Sequence, residues 1–322
     1  MGRKYAETIN RLSGNRVTAV CTSKPESVKL SGVCEEAAIF SSYEEMLSCS
    51  DFDVVCLTVP THLHYSYTLQ AAAARKHVIC EKPIALRPED ARDMISACDK
   101  YGVGLFVGHV LRFFPAYKHL RELVLNGQIG AVRSATAKRA SVCPKANSWF
   151  SDHTQSGGVI LDLMIHDIDF MRWTLGDVQS VYAFSRCADG VEYASATLHF
   201  MSEAIAQLEA HWGYPDEFLT QVELVGENGR LRNDNRSTRP FVLRKSQTQQ
   251  MNSRGVVLPK ATVGNDPFQE EIQHFLQCIR DRRTPIVTAK DAARALEIAA
   301  AAAKSAQLGK PVRLFNDSRE RT

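Results

Sequence analysis

Along the first third of the chain, apolar and polar positions follow two alternating rhythms. Short β-branched or apolar runs of strand length occur at Val17 to Cys21, Ala37 to Phe40, Asp53 to Val59, His77 to Cys80 and Val103 to Val107. Between them, Tyr43 to Ser48, Leu63 to Arg75 and Pro88 to Tyr101 carry helical spacing. The last of these has Pro88 in its first turn, where a missing N–H is harmless, followed by Glu89 and Asp90 at the positive end of the helix. Strand and helix in repetition predict a doubly wound parallel sheet.

The rhythm changes after Pro115. A helix from Ala116 to Asn126 should stop at Gly127. The stretches Ala131 to Ser141, Val178 to Arg186, Tyr193 to Phe200, Ala204 to Ala210 and Phe218 to Val225 then alternate with period two, as strands of a sheet wet on one side do. Asp189-Gly190 and Asn228-Gly229 are hairpin signals between them. Arg232 to Val263 is polar and irregular, and no element is predicted there. Closing helices run from Pro267 to Arg280 and from Ala289 to Leu308, ending at Gly309. The fold class is therefore α/β. A nucleotide-binding Rossmann-type domain covers 1–108, and an α+β domain with a large, mainly antiparallel open sheet covers 109–322, with the final helices free to return to the first domain.

A Rossmann domain normally opens with a strand and a Gly-x-Gly-x-x-Gly turn, whose glycines let backbone amides approach a pyrophosphate. Here Met1-Gly2-Arg3-Lys4-Tyr5-Ala6-Glu7-Thr8-Ile9 reads as the last glycine of such a turn running straight into its helix. About ten residues, including strand 1, would then be absent, which points to a late or truncated start. In the usual strand order that first strand is central, so its loss should leave two unpaired edges inside the sheet.

Length and composition change this picture little. At 322 residues the chain exceeds one hydrophobic core, and 44% hydrophobic with 23% charged residues is ordinary for a globular protein. A net charge of +3 with dispersed Lys and Arg argues against nucleic-acid and membrane-surface partners. Nine cysteines without a Cys-x-x-Cys pair argue against a zinc site and a disulfide framework, and fit a reducing cytoplasm. No apolar stretch is long enough to span a bilayer, no secretory signal is evident, and Ala6 stands where a myristoylation motif needs a hydroxyl.

Candidate chemistry sits at two places. Glu81-Lys82-Pro83 directly follows the apolar run His77-Val78-Ile79-Cys80, and strand ends are where open α/β sheets present groups to ligands. Further on, Gly157-Gly158-Val159-Ile160-Leu161-Asp162-Leu163-Met164-Ile165-His166 spaces a carboxylate and an imidazole four apart, on one face if helical. A cation, a titratable base and a group to orient it are the parts needed to move a proton on and off an alcohol oxygen. Asp169, one turn on, makes a metal site conceivable, but solvent-facing carboxylates are the commoner reading and no metal is expected. There is no Gly-x-Ser-x-Gly elbow for serine hydrolysis.

These motifs, with Thr58-Val59-Pro60-Thr61-His62-Leu63-His64, Gly108-His109-Val110-Leu111-Arg112-Phe113 and Asp266-Pro267-Phe268, resemble the glucose-fructose oxidoreductase, inositol dehydrogenase and rhizopine catabolism (Gfo/Idh/MocA) family over nearly the whole chain. The resemblance implies hydride transfer between a nicotinamide cofactor and a CH–OH group of a sugar, inositol or related polyol, by a homodimer or homotetramer assembled through the second sheet. It implies that Lys82 hydrogen-bonds the reacting oxygen, that His166 is the acid/base and that Asp162 orients it. Asn147 and Trp149 fall where family members hold substrate hydroxyls. Gly2, Arg3, Thr58, Pro60, His62, His64, Glu81, Lys82 and Arg112 fall around the cofactor. After the second Rossmann strand, where an acidic residue would favour NAD, Ser23 and Lys24 could instead receive a 2′-phosphate, which favours NADP(H) over NAD(H). A cofactor-sensing regulator without turnover and a redox-assisted glycosidase are the alternatives on the same scaffold.

Overall fold

The computed structural model describes residues 1–322 apart from 30–31, 50, 146–147, 189, 216, 237–240, 246–265 and 315–322. In chain order the elements are α1 (Gly2–Arg11), β1 (Ala19–Cys21), α2 (Pro25–Lys29), β2 (Ala38–Phe40), α3 (Tyr43–Cys49), β3 (Val54–Leu57), α4 (His64–Ala73), β4 (His77–Glu81), α5 (Pro88–Tyr101) and β5 (Leu105–Gly108). They continue with α6 (Pro115–Leu125), β6 (Val132–Ser141), α7 (His153–Ser156), α8 (Ile165–Leu175), β7 (Val178–Ala188), β8 (Val191–Phe200), β9 (Ile205–Trp212), β10 (Leu219–Gly226), β11 (Gly229–Asp234) and β12 (Phe241–Lys245). The chain closes with α9 (Pro267–Asp281), α10 (Ala289–Leu308) and β13 (Val312–Arg313). It divides into two compact units, one of residues 1–113 and 265–293, the other of residues 114–264 and 294–322.

The first unit is the parallel one. β3, β4 and β5 pair in that order, all parallel, and β1 pairs with β2 as a separate parallel ladder. Among the described residues no ladder joins the two pieces. The parallel sheet of this unit is thus in two pieces among the described residues. β4 lies in the middle of its ladder, and Val78, Ile79 and Cys80 are fully buried, so the strand is apolar throughout instead of alternating. Its core joins α1 to α9 through Tyr5, Leu12, Ile79, Phe106, Phe113, Ile272 and Phe275. The rings of Phe106 and Phe275 lie 5.4 Å apart, and Phe113 meets Phe275 edge-on at 5.8 Å.

The second unit is an eight-stranded sheet in the order β12-β11-β10-β6-β9-β8-β7-β13, antiparallel except where β6 runs parallel to β9. Its covered face is lined by small residues, among them Ala135, Ala137, Ala183, Ala194, Ala196, Ala206 and Ala210, all buried, which lets helices lie close. Residues 232–263, expected to be irregular, contain the end of β11 and all of β12. Ladder pairing of β11 onto β10 and of edge strand β12 onto β11 builds this end of the sheet, and the polar sequence there gave no apolar alternation to read.

One buried ion pair fixes α8 to this sheet. Arg139 of β6 donates from Nε to Asp167 Oδ2 at 2.9 Å and from Nη2 to Asp167 Oδ1 at 2.8 Å, with the Tyr117 hydroxyl 3.4 Å away. Burial disfavours the guanidinium charge, but the Asp167 carboxylate more than restores it and holds Arg139 protonated. Removing one partner strands a buried charge, so Arg139→Met and Asp167→Leu should each cost about 3–5 kcal/mol in urea denaturation. The double variant should recover most of that loss; additive losses would show that the pair does not act as a unit.

Candidate active site

In the first unit, β4 delivers Glu81 and Lys82 to the carboxyl end of the three-stranded ladder, and the loop that follows begins with a cis Lys82–Pro83 bond. That loop is tied to the start of α4. His64, 1% exposed, has Nδ1 2.8 Å from the Pro83 carbonyl and Nε2 3.0 Å from the Val59 carbonyl. Two acceptors face a ring that carries one N–H when neutral. Burial nevertheless dominates, and with the nearby Lys82 charge it lowers the imidazole from its usual value to about 4.

The residues expected around the cofactor separate into two groups. α1 begins at Gly2 with no side-chain cap and no acidic residue in its first turn, which leaves its leading N–H groups for an anion. A Cβ on Gly2 would lie 3.0 Å from Thr58 Oγ1, so the helix start lies against the end of β3. Thr58 and Pro60 are partly exposed, and His62, Ser23 and Lys24 are exposed. Arg3 is exposed and turned to Glu7 at 2.8 Å. His64 and Arg112 are both only 1% exposed, and both brace the fold from within. Arg112 donates to the Ile286 carbonyl at 3.0 Å and pairs with Asp291 at 3.3 Å, holding the segment after α9.

In the second unit, Gly157 and Gly158 adopt φ of +77° and +71°, where an L side chain is strained, and a Cβ at either would strike Leu161 or Glu192. The chain then enters a wide π-helical turn, Ile160–Met164, which runs into α8. Such turns recur at functional sites. Asp162 is buried at 7% exposure within it, and His166 follows in the first turn of α8, partly exposed. Asp169 is fully buried. Trp149 is partly exposed and stacks on Phe150 with centroids 3.9 Å apart, while Asn147 lies outside the described residues.

Comparison with known proteins agrees with both halves. Residues 1–109 match the Gfo/Idh/MocA "Oxidoreductase family, NAD-binding Rossmann fold", and residues 121–314 match that family's "C-terminal alpha/beta domain". The chain belongs to the Gfo/Idh/MocA oxidoreductase family. It is 29% identical to scyllo-inositol 2-dehydrogenase (NAD(+)) of Bacillus subtilis over 92% of this chain and 88% of that protein. It is 30% identical to 2,7-anhydro-N-acetylneuraminate hydratase of Escherichia coli over 74% of this chain and 66% of that protein. The crystal structure of a probable dehydrogenase from Thermotoga maritima superposes with a TM-score of 0.80 at 27% identity, covering 97% of this chain and 96% of the other.

Two residues beneath the Gfo/Idh/MocA Glu-Lys-Pro motif escape sequence reasoning. A Cβ on Gly108 would lie 3.3 Å from the Tyr5 hydroxyl and 3.6 Å from both Glu81 Oε2 and Glu271 Oε2, so a phenol and two carboxylates meet at one point. Glu271 is 1% exposed, and neither of its oxygens has a hydrogen-bond partner among the described residues. Burial, and then the Glu81 charge, raise its carboxyl well above the usual range. Glu81 is raised as well, chiefly by burial, with the Lys82 ammonium pulling it back. Glu271 sits within an amphipathic helix as one carboxylate among several, and only its burial distinguishes it.

The state of His64 predicts a pH dependence. Its folded value near 4 lies below the ordinary 6.5, so the stability it contributes is complete above pH 6.5 and is lost as pH falls toward about 4. At about 1.4 kcal/mol per unit the loss approaches roughly 3 kcal/mol. The stability gap between wild type and His64→Gln in urea denaturation should narrow by about that amount between pH 7 and pH 4.5. A gap constant across that range would exclude a neutral, buried His64.

Proposed function

We propose that this protein transfers a hydride between a nicotinamide cofactor and a CH–OH carbon of a sugar, inositol or related polyol. One observation carries the reading. A lysine leaves the carboxyl end of the central strand of a family Rossmann fold, and the same chain carries an aspartate and a histidine four residues apart at a π-helical turn in the family's second domain. The cofactor, when bound, supplies the hydride acceptor. The first N–H groups of α1, with Gly2, Thr58 and Pro60, hold its phosphates, and Ser23 and Lys24 meet the adenosine ribose. Lys82 donates a hydrogen bond to the reacting oxygen and stabilises negative charge there. His166 takes the hydroxyl proton, Asp162 orients the imidazole, and Trp149 and Asn147 contact other hydroxyls of the substrate. Partly covered at its helices, the second sheet exposes Phe184 and Ile205 on its strands, and we assign this surface to a homodimer or homotetramer.

General acid/base groups contribute about 10²- to 10⁴-fold. Lys82→Ala and His166→Ala should each lower kcat by a factor in that range while leaving the affinity for reduced nicotinamide cofactor unchanged in fluorescence titration; wild-type rates in both variants would refute the assignment. Cofactor choice has its own test. NADP(H) is the expected preference, and Lys24→Glu should shift kcat/KM toward NAD by removing the cation that meets the 2′-phosphate; a wild-type preference for NAD would overturn it.

A second reading draws on the 30% identical relative named a hydratase. Transient oxidation at one sugar carbon, elimination or addition at its neighbour and return of the same electrons would use Lys82 and His166 without net redox change. Net reduction of added cofactor by free inositols or aldoses favours the dehydrogenase; turnover of an anhydro sugar without net reduction favours the second.

A further inference from the structure

We propose that His153, Cys187 and Glu192 form a zinc site in the second unit, at a place that hydride transfer does not use. One imidazole nitrogen, the Sγ and one carboxylate oxygen of these residues all lie within 4.8 Å of one another. Three separate pieces of chain supply them. His153 opens α7, while Cys187 and Glu192 are directly opposite partners on the β7–β8 ladder, so their side chains share a face. Imidazole, thiolate and carboxylate together suit zinc, whereas magnesium and calcium take oxygen sets. Zinc bonds to these atoms are about 2.0–2.3 Å long, so closing the three onto one ion needs only side-chain movement, with water in the fourth position.

The carboxylate is already arranged as a one-oxygen ligand. Glu192 Oε2 lies 3.0 Å from His153 Nε2, and Oε1 accepts from the Val159 amide at 2.9 Å. That second bond is the kind that orients first-coordination ligands in metal sites. Only 12% of the Glu192 side chain is exposed, against 51% for His153, and Cys187 is exposed, so an ion can enter from solvent. A Cβ on Gly158 would lie 2.6 Å from Glu192 Oε1 and 3.4 Å from His153 Nε2, so glycine keeps this corner open. On binding, the Cys187 thiol releases its proton to solvent, and no oxidant or reductant is required. The ion would clamp the β7–β8 hairpin to the glycine loop that leads to Asp162.

The test uses the full chain, reduced and stripped of metal, in equilibrium dialysis against Zn²⁺ and in Co²⁺ absorption spectroscopy. One zinc per chain and a near-ultraviolet thiolate-to-cobalt charge-transfer band are expected. Cys187→Ser should abolish the band, and His153→Ala should weaken zinc binding by more than the roughly 10- to 100-fold typical of losing an outer-shell partner. A Cys49→Ser/Cys143→Ser double variant, which removes exposed thiols elsewhere, should keep both signals. Circular dichroism of metal-free Cys187→Ser should match wild type, since the residue is exposed. Absence of stoichiometric zinc, or a cobalt–thiolate band that survives Cys187→Ser, would overturn the site whatever the fate of the hydride-transfer reading.

Discussion

Parallel pairing of β4 between β3 and β5 is the constraint on which the first unit depends. A strand buried on both faces and hydrogen-bonded on both sides cannot slip, so the residues just past its end are fixed in register and direction. Lys82 inherits its position from that ladder. Everything packed around the strand end then braces it: His64 grips the Pro83 carbonyl, Tyr5 and Glu271 close on Glu81 at Gly108, and Phe275 of α9 fills the space against Phe106. The return of α9 to the first unit, more than 150 residues after β5 in the chain, belongs to the same requirement. An open parallel sheet needs cover on both faces, and the N-terminal segments alone do not complete it.

In the second unit, neighbouring acidic residues have different fates, and environment sets each. Asp167 is neutralised by a bidentate guanidinium and anchors α8 to β6. Asp169 is wholly buried, two residues on. Asp162 is buried on the π-helical turn that follows the two positive-φ glycines and leads into α8. The helix carrying His166 is therefore held from below by a buried ion pair while its leading turn is shaped from above by glycine geometry. Rigid support under a titratable side chain is what positional precision in proton transfer demands.

What could be read from the sequence divides along contact distance. Strand ends, the helix at Pro88 and the glycine-aspartate-histidine run are local patterns, and local patterns survive in one dimension. The burial of His64 was hidden because a histidine at a helix start looks polar and available, whereas its ring nitrogens face two carbonyls, one of them nineteen residues away. The partners of Arg112 were hidden for the same reason, Ile286 and Asp291 lying over 170 residues on. The cluster of His153, Cys187 and Glu192 had no sequence signature, since one ligand lies on a short helix and two face each other across a hairpin. β12 failed differently: edge strands formed by ladder pairing need no apolar alternation to declare them.

The buried groups around β4 also pull stability in opposite directions as pH changes. His64, lowered by burial, costs the folded state stability when acid forces a second proton onto its ring. Glu271, raised by burial and by Glu81, behaves inversely: its neutral form favours the folded state below the ordinary carboxylate value of 4.5, and that contribution is lost as pH rises through its folded value. The two contributions therefore carry opposite pH slopes, that of His64 rising with pH and that of Glu271 falling. Glu81 beside it is raised as well, chiefly by burial, with the Lys82 ammonium opposing that rise, so the strand end gathers two carboxyls that burial pushes the same way.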